Sequence, residues 1–204
     1  MAWSNVKGFN FRATLGFVTD NAANPYEVAE LSAAYSATRN TINGDVVGYG
    51  WTGTLASASD RVNTVDRRLA GINYSNNSSG EKLWRLDLPS AGTYTIRLAL
   101  GSANGAGTIF ARIYDGATPT FTIASNVSTL ADQFIDATSV IRTSDTDWVT
   151  NNASQNFTFS SSYLQLGIGD PSTISGGSSW LAHLDIVQVS AGVAARNLMT
   201  LGLG

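Results

Sequence analysis

The 204-residue sequence predicts a single all-β sandwich, and three observations carry that prediction. Apolar residues recur at every second position in one run after another, which places them on one face of a strand. Clusters of Gly, Ser, Asn and Thr separate these runs, as turn-forming residues separate strands. A 3.6-residue apolar period is scarce. The length suits one sizeable core.

In chain order, Phe9, Phe11, Ala13, Leu15 and Phe17 alternate first. The one helical pattern follows at Pro25 to Tyr35. There Asn24 can cap, Pro25 suits the first turn, and Glu27 and Glu30 favour the N-terminal half. Trp84, Leu86 and Leu88 alternate next, then Tyr94, Ile96, Leu98 and Leu100. The intervening Pro89-Ser90-Ala91-Gly92 predicts a hairpin between these two strands. Further strands are expected at Ile109 to Tyr114, Phe121 to Ala124, Phe157 to Phe159, Leu164 to Ile168 and Leu184 to Val189, seven or more in all. Ser75 to Gly80, Ser102 to Gly107 and Ser172 to Ser179 read as loops, and no internal repeat is visible. Residues 1–193 are expected to form the sandwich domain and 194–204 an extended apolar arm. Leu198, Met199, Leu201 and Leu203 of that arm have little local structure to bury them, so a contact with another subunit is expected there, with Trp3 contributing.

Composition excludes several classes of function. Charged residues are 13% of the chain, about half the usual share, and the net charge is -3. Twelve basic residues spread from Lys7 to Arg196 form no stripe for phosphates, so nucleic acid is not an expected partner. No run approaches the roughly 20 apolar residues of a membrane helix, and Met1 to Arg12 lacks the pattern of an export signal. The chain has no cysteine, hence no disulfide, thiolate ligand or thiol nucleophile. The single histidine, His183, lies in a strand-like Leu-Ala-His-Leu-Asp-Ile run, and no Gly-x-Ser-x-Gly elbow is present, so it reads as structural. One His and no Cys cannot build a zinc site unaided. Asp136, Asp145, Asp147 and Asp170 offer calcium-type oxygens without a recognisable loop motif. Gly101 to Gly107 lacks the Gly-Lys-Ser/Thr ending of a phosphate loop. No metal, no cofactor and no catalysis are therefore expected. Twelve Asp and three Glu keep a small carboxylate-dependent glycan hydrolase as an alternative.

Aromatic rings interspersed with polar groups suit sugars, because a flat ring covers a pyranose while Asp, Asn and Arg bond its hydroxyls. Tyr49 and Trp51 in Gly48-Tyr49-Gly50-Trp51-Thr52-Gly53, Asp60-Arg61, and Trp148 after Asp145 and Asp147 are the expected loop-borne contacts.

Several segments together resemble the galactose-binding-like, malectin-like β-sandwich of carbohydrate-binding modules attached to polysaccharide lyases and esterases. They are Gly48-Tyr49-Gly50-Trp51, Asp60-Arg61, Asp66-Arg67-Arg68-Leu69, Trp84-Arg85-Leu86-Asp87-Leu88-Pro89 with Gly92-Thr93-Tyr94, Leu98-Ala99-Leu100-Gly101 and Leu184-Asp185-Ile186. The resemblance implies a jelly roll and glycan binding at loop ends. With neither an export signal nor an attached catalytic domain expected, the chain is also similar in architecture to jelly-roll structural proteins of tailed-bacteriophage particles. These resemblances imply a non-catalytic virion structural or decoration protein, assembling with copies of itself and other virion proteins and retaining affinity for cell-surface polysaccharide. A stand-alone, extracellular carbohydrate-binding module is the alternative.

Overall fold

The computed structural model describes residues 3, 5–13, 27–42, 44–60, 69–143 and 153–189. Sixteen strands follow one another within these residues. The first eight are β1 (Lys7–Phe11), β2 (Glu27–Glu30), β3 (Ser36–Ile42), β4 (Asp45–Thr52), β5 (Ser57–Asp60), β6 (Gly71–Asn76), β7 (Lys82–Asp87) and β8 (Gly92–Ser102). The rest are β9 (Gly107–Asp115), β10 (Thr118–Thr129), β11 (Gln133–Ile135), β12 (Ile141–Thr143), β13 (Gln155–Phe159), β14 (Tyr163–Ile168), β15 (Ser178–Leu181) and β16 (His183–Gln188). The larger sheet runs β12-β11-β8-β16-β1-β2, with β13 also paired to β8. The second runs β10-β9-β14-β7-β4-β3, and a small third sheet, β15-β6-β5, completes the fold. The all-β expectation holds: among the described residues the only helical segment of its own is a 3-10 turn at Asn77–Ser79.

The alternating runs meet as the two inner layers of the sandwich. Phe9 and Phe11 come from the larger sheet, Tyr49 and Trp84 from the second, and all four are at most 1% exposed. Trp84 makes edge-on contacts with Phe9 at 4.9 Å and Phe11 at 5.3 Å, and Phe9 a third with Tyr49 at 4.9 Å. Such pairs add to the burial of large apolar surface. Ile96, Leu98, Leu184 and Ile186 extend the layer along the larger sheet, and Leu86, Ile113, Leu164 and Leu166 along the second.

Two expectations about local structure are corrected. The strands flanking Pro89-Ser90-Ala91-Gly92 form no hairpin. β7 pairs with β4 and β14, whereas β8 pairs with β16, β11 and β13 in the other sheet. Both strands carry apolar residues on every second position, and placing them in opposite layers lets each face the same core. Residues 88–91 make the crossing: the Leu88 N–H donates to the Ser162 carbonyl at 2.8 Å and the Tyr94 hydroxyl to the Ser90 carbonyl at 2.6 Å. The helix expected over Pro25 to Tyr35 is replaced by β2, which runs parallel to β1 with Val28 opposite Phe9. Pairing supplies backbone partners along β1, and this outweighs a weak local helical preference. Leu15 and Phe17, and the arm at 194–204, lie outside the described residues.

Asn73 ties the layers together where a β-sandwich has few side-chain bonds to spare. Its Oδ1 accepts the Trp51 indole N–H at 2.9 Å, and its Nδ2 donates to the carbonyls of Arg12 at 3.2 Å and Glu30 at 3.3 Å. Three aspartates organise connections in the same spirit. Asp115 accepts the N–H groups of Ser160 and Ser161, Asp136 those of Thr138 and Val140, and Asp170 those of Ser172 and Ser175. Burial raises the Asp115 carboxyl, but the bonds from Ser160 and Ser161 outweigh it and hold the group at about 2. Burial likewise acts upward on Asp136, where Thr138 and Arg142 prevail and lower it. The Ser172 hydroxyl is the main cause lowering Asp170.

Two outcomes follow from these contacts. Asn73→Ala leaves a buried indole N–H and two carbonyls without this partner, and about 3 kcal/mol of stability should be lost, read from the urea midpoint. The three depressed aspartates stabilise the fold above their unfolded value of about 3.9, and that contribution disappears as pH falls through their folded values. Glu30, raised by burial, acts in the opposite sense. The informative quantity is therefore a difference: Asp136→Asn should flatten the loss of stability below about pH 4. Identical acid unfolding curves for the variant and the parent would contradict this.

Candidate functional site

Strand alternation that sends Trp84 and Leu86 inward sends Leu83, Arg85 and Asp87 of β7 to the opposite face of the second sheet. Register carries neighbouring residues to the same face: Gln165 of β14 lies opposite Arg85, Tyr163 opposite Asp87, and Tyr114 of β9 opposite Gln165. On β4 the matching positions are Gly50, opposite Arg85, and Thr52, opposite Leu83, with Gly48 two residues before Gly50. This outer face therefore concentrates aromatic, guanidinium, amide and carboxylate groups.

The centre of the face is a stack. The Arg85 guanidinium lies 4.0 Å from the Tyr163 ring centre and 4.5 Å from that of Tyr35, clasped by both aromatics. Its Nε donates to Asp87 Oδ1 at 2.8 Å, and the Tyr35 hydroxyl donates to Asp87 Oδ2 at 2.6 Å. Arg85 and Asp87 remain 29% and 28% exposed, so this locked arrangement is open to solvent. A second cluster stands on the β9 side. Arg112 donates to both Glu81 oxygens, at 3.1 and 2.7 Å, and the Tyr114 hydroxyl donates to Glu81 Oε2 at 2.5 Å. Between them the Gln165 amide donates to Thr52 Oγ1 at 3.3 Å.

Glycines let these groups lie flat. A Cβ on Gly48 would come within 2.3 Å of Asp87 Oδ2, and one on Gly50 within 2.7 Å of the Tyr35 Cα. A Cβ on Gly167 would come within 2.1 Å of Glu81 Oε1. At one end of the face a cavity of about 260 Å³ opens, lined by Trp3, Ala37, Asp45, Val46, Gly48, Asp87, Leu88 and Pro89.

None of the described side chains singled out from sequence as sugar or subunit contacts builds this face. Tyr49 and Trp51 do not stand in a loop; they belong to β4 and are each 1% exposed, with Trp51 bonded inward to Asn73. The glycines of Gly-Tyr-Gly-Trp are outward positions, so both rings fall on the core side. Asp60 ends β5 in the small sheet and accepts the Ala13 N–H at 3.0 Å, a structural tie. Arg61 and Trp148, and Leu198, Met199, Leu201 and Leu203, lie outside the described residues. Trp3, expected at a subunit contact, is 4% exposed within its own chain, edge-on to Tyr94 at 6.1 Å. His183 is fully buried, its Nδ1 2.8 Å from Asn10 Oδ1.

The residues that sequence reading missed carry a recognisable signal. They are the polar phase of strands already identified by their apolar phase: Arg85 and Asp87 between core residues of β7, Arg112 and Tyr114 in β9, Tyr163 and Gln165 in β14.

No family model matches the chain, and no curated protein matches it. Among solved structures it is similar to a carbohydrate-binding module of Cellvibrio mixtus lichenase 5A in complex with cellotriose, at 17% identity and a TM-score of 0.33, covering 69% of this chain and 90% of that one. A family 35 carbohydrate-binding module from Clostridium thermocellum has 14% identity and a TM-score of 0.33, covering 69% and 82%. The ANXUR2 extracellular domain from Arabidopsis thaliana has 11% identity and a TM-score of 0.42, covering 81% and 49%. At these scores the function has to come from the side chains themselves.

Desolvation first, and the bond to Glu81 second, raise the Tyr114 phenol well above the ordinary range. It should stay un-ionised in the folded protein at pH 11. The phenolate absorbance gained up to that pH should be equal for the parent and Tyr114→Phe; a smaller gain in the variant would show that Tyr114 titrates normally.

Proposed function

We propose that the protein is a non-catalytic binder of polysaccharide, and that the chain of sugar rings lies across the outer face of the second sheet. The observation that carries this is the solvent-open Tyr35-Arg85-Tyr163 stack, held by Asp87 before any ligand arrives. Tyrosine rings present flat apolar area with a polar edge, and their immobilisation beforehand lowers the entropic cost of binding. The Gln165 amide, the Asp87 carboxylate and the two guanidinium groups supply hydroxyl partners beside them.

Glu81 and Asp87 are the carboxylates of this face, and both already accept two side-chain donors from Arg and Tyr. This favours recognition over acid-base catalysis. The work of such a binder is expected at a cell or matrix surface. The virion-subunit reading draws on the arm at 194–204, outside the described residues, and no described residue favours it over binding.

Calorimetric titration with neutral oligosaccharides of about six rings tests the proposal. Tyr163→Ala and Arg85→Ala should each weaken binding about tenfold or more, with far-ultraviolet circular dichroism unchanged. Absence of binding across a broad array of neutral and acidic glycans would overturn the reading. Affinity that both substitutions leave intact would move the site elsewhere on the fold.

A further inference from the structure

The cavity beyond Asp87 differs in character from the flat face. Its accessible lining is mostly polar: Asp45 and Asp87 bring two carboxylates to it, Ala37 and Val46 stand at its exposed rim, Pro89 is half-buried beside them, and Trp3 and Leu88 lie buried behind. Its volume of about 260 Å³ lies just under the roughly 300 Å³ at which pockets for drug-sized ligands begin. That is room for one sugar ring rather than a chain. It shares Asp87 with the stack, so the cavity and the face are adjacent.

The charges around the cavity are arranged to refuse an anion. Asp45 Oδ2 receives the buried Lys7 ammonium at 2.6 Å, and this cation also donates to the Ile42 carbonyl at 2.9 Å. Lys7 itself is fully buried, whereas Asp45 is 39% exposed, so it is the carboxylate of this pair that meets an incoming group. Asp87 is bonded by Tyr35 and by Arg85, whose guanidinium is held between two rings on the face beside the cavity. Arg112 is likewise engaged at both Glu81 oxygens. Among the described residues the cavity is thus lined by two carboxylates and by no cation, with Lys7 buried behind Asp45 and Arg85 standing beside it on the face.

Resting on the glycan-binding reading above, we infer that this cavity is a terminal-ring subsite that selects neutral sugars against uronic acids. The end ring seats beside Pro89 and its hydroxyls donate to Asp45 and Asp87. A ring bearing its own carboxylate meets like charge in a partly desolvated pocket.

The test is titration of the full chain with neutral hexaoses of glucose, mannose or xylose and with hexauronates of matched length. Uronates should bind about 100-fold more weakly. Ala37→Lys, at an exposed rim position, should shift the ratio of uronate to neutral affinity by at least about tenfold toward uronate. Asp45→Asn should shift it the same way; because it removes the partner of a buried lysine, Ala37→Lys decides if that variant does not fold. Equal affinity for the two classes, or a ratio indifferent to Ala37→Lys while Tyr163→Ala still weakens binding, overturns the subsite and leaves the face intact. No binding of either class overturns the underlying reading itself.

Discussion

The aromatic wedge between the sheets fixes everything outside it. Phe9 and Phe11 enter from one layer and Tyr49 and Trp84 from the other, and their edge-on contacts of 4.9 to 5.3 Å leave little tolerance for sliding. Because strand side chains alternate with period two, the depth of Trp84 determines the face of Arg85. A one-residue slip of β7 would drive Arg85 and Asp87 into the core and expose Trp84 and Leu86, an exchange that costs far more than any hydrogen bond on the surface recovers. The outer face is thus a dependent feature: core packing places the strand, and the strand places the stack.

Glycine has a second and less visible part in that placement. Gly48, Gly50 and Gly167 occupy outward positions where a side chain would ordinarily stand. Their emptiness lets Asp87, the Tyr35 backbone and Glu81 settle against the sheet. The polar groups of the face are consequently held low and bonded to one another instead of extending into water. Gln165 is only 8% exposed for the same reason, despite its outward phase. The arrangement loses side-chain freedom during folding, so less remains to be lost when a ligand arrives.

Sequence reading located the core because burial imposes a periodicity that can be seen without knowing any strand's partner. It located strands well in β8, β9, β14 and β16, whose apolar phases are uninterrupted. Partner choice was not legible: nothing in Trp84 to Leu100 states whether the Pro-Ser-Ala-Gly connection turns back within a sheet or crosses to the other one. Trp51 was misplaced for a related reason. Flanking glycines signal a loop in isolation, but in β4 they mark the side of the strand on which other chain segments press. Pro25 to Tyr35 gave a local helical preference that pairing with β1 overrode. The site was hidden because an outward Arg or Tyr is unremarkable in one strand; only the register of β4, β7, β14 and β9 assembles them.

The two sheets also differ in what they do with their outward polar residues, and the difference marks where recognition belongs. On the larger sheet Asn10, Arg97, His183 and Asp185 share the face opposite the core, and each is 4% exposed or less. Polar groups so deeply covered are held for structure: their bonds to one another offset desolvation, and no ligand reaches them without displacing the cover. On the second sheet Arg85, Asp87 and Arg112 keep 26 to 29% of their side-chain surface. They are bonded enough to be ordered and open enough to be touched. A binding face requires both conditions at once, and on the described surface it is the second sheet's outer face, continuous with the Asp45 and Asp87 cavity, that combines them with flanking aromatic rings.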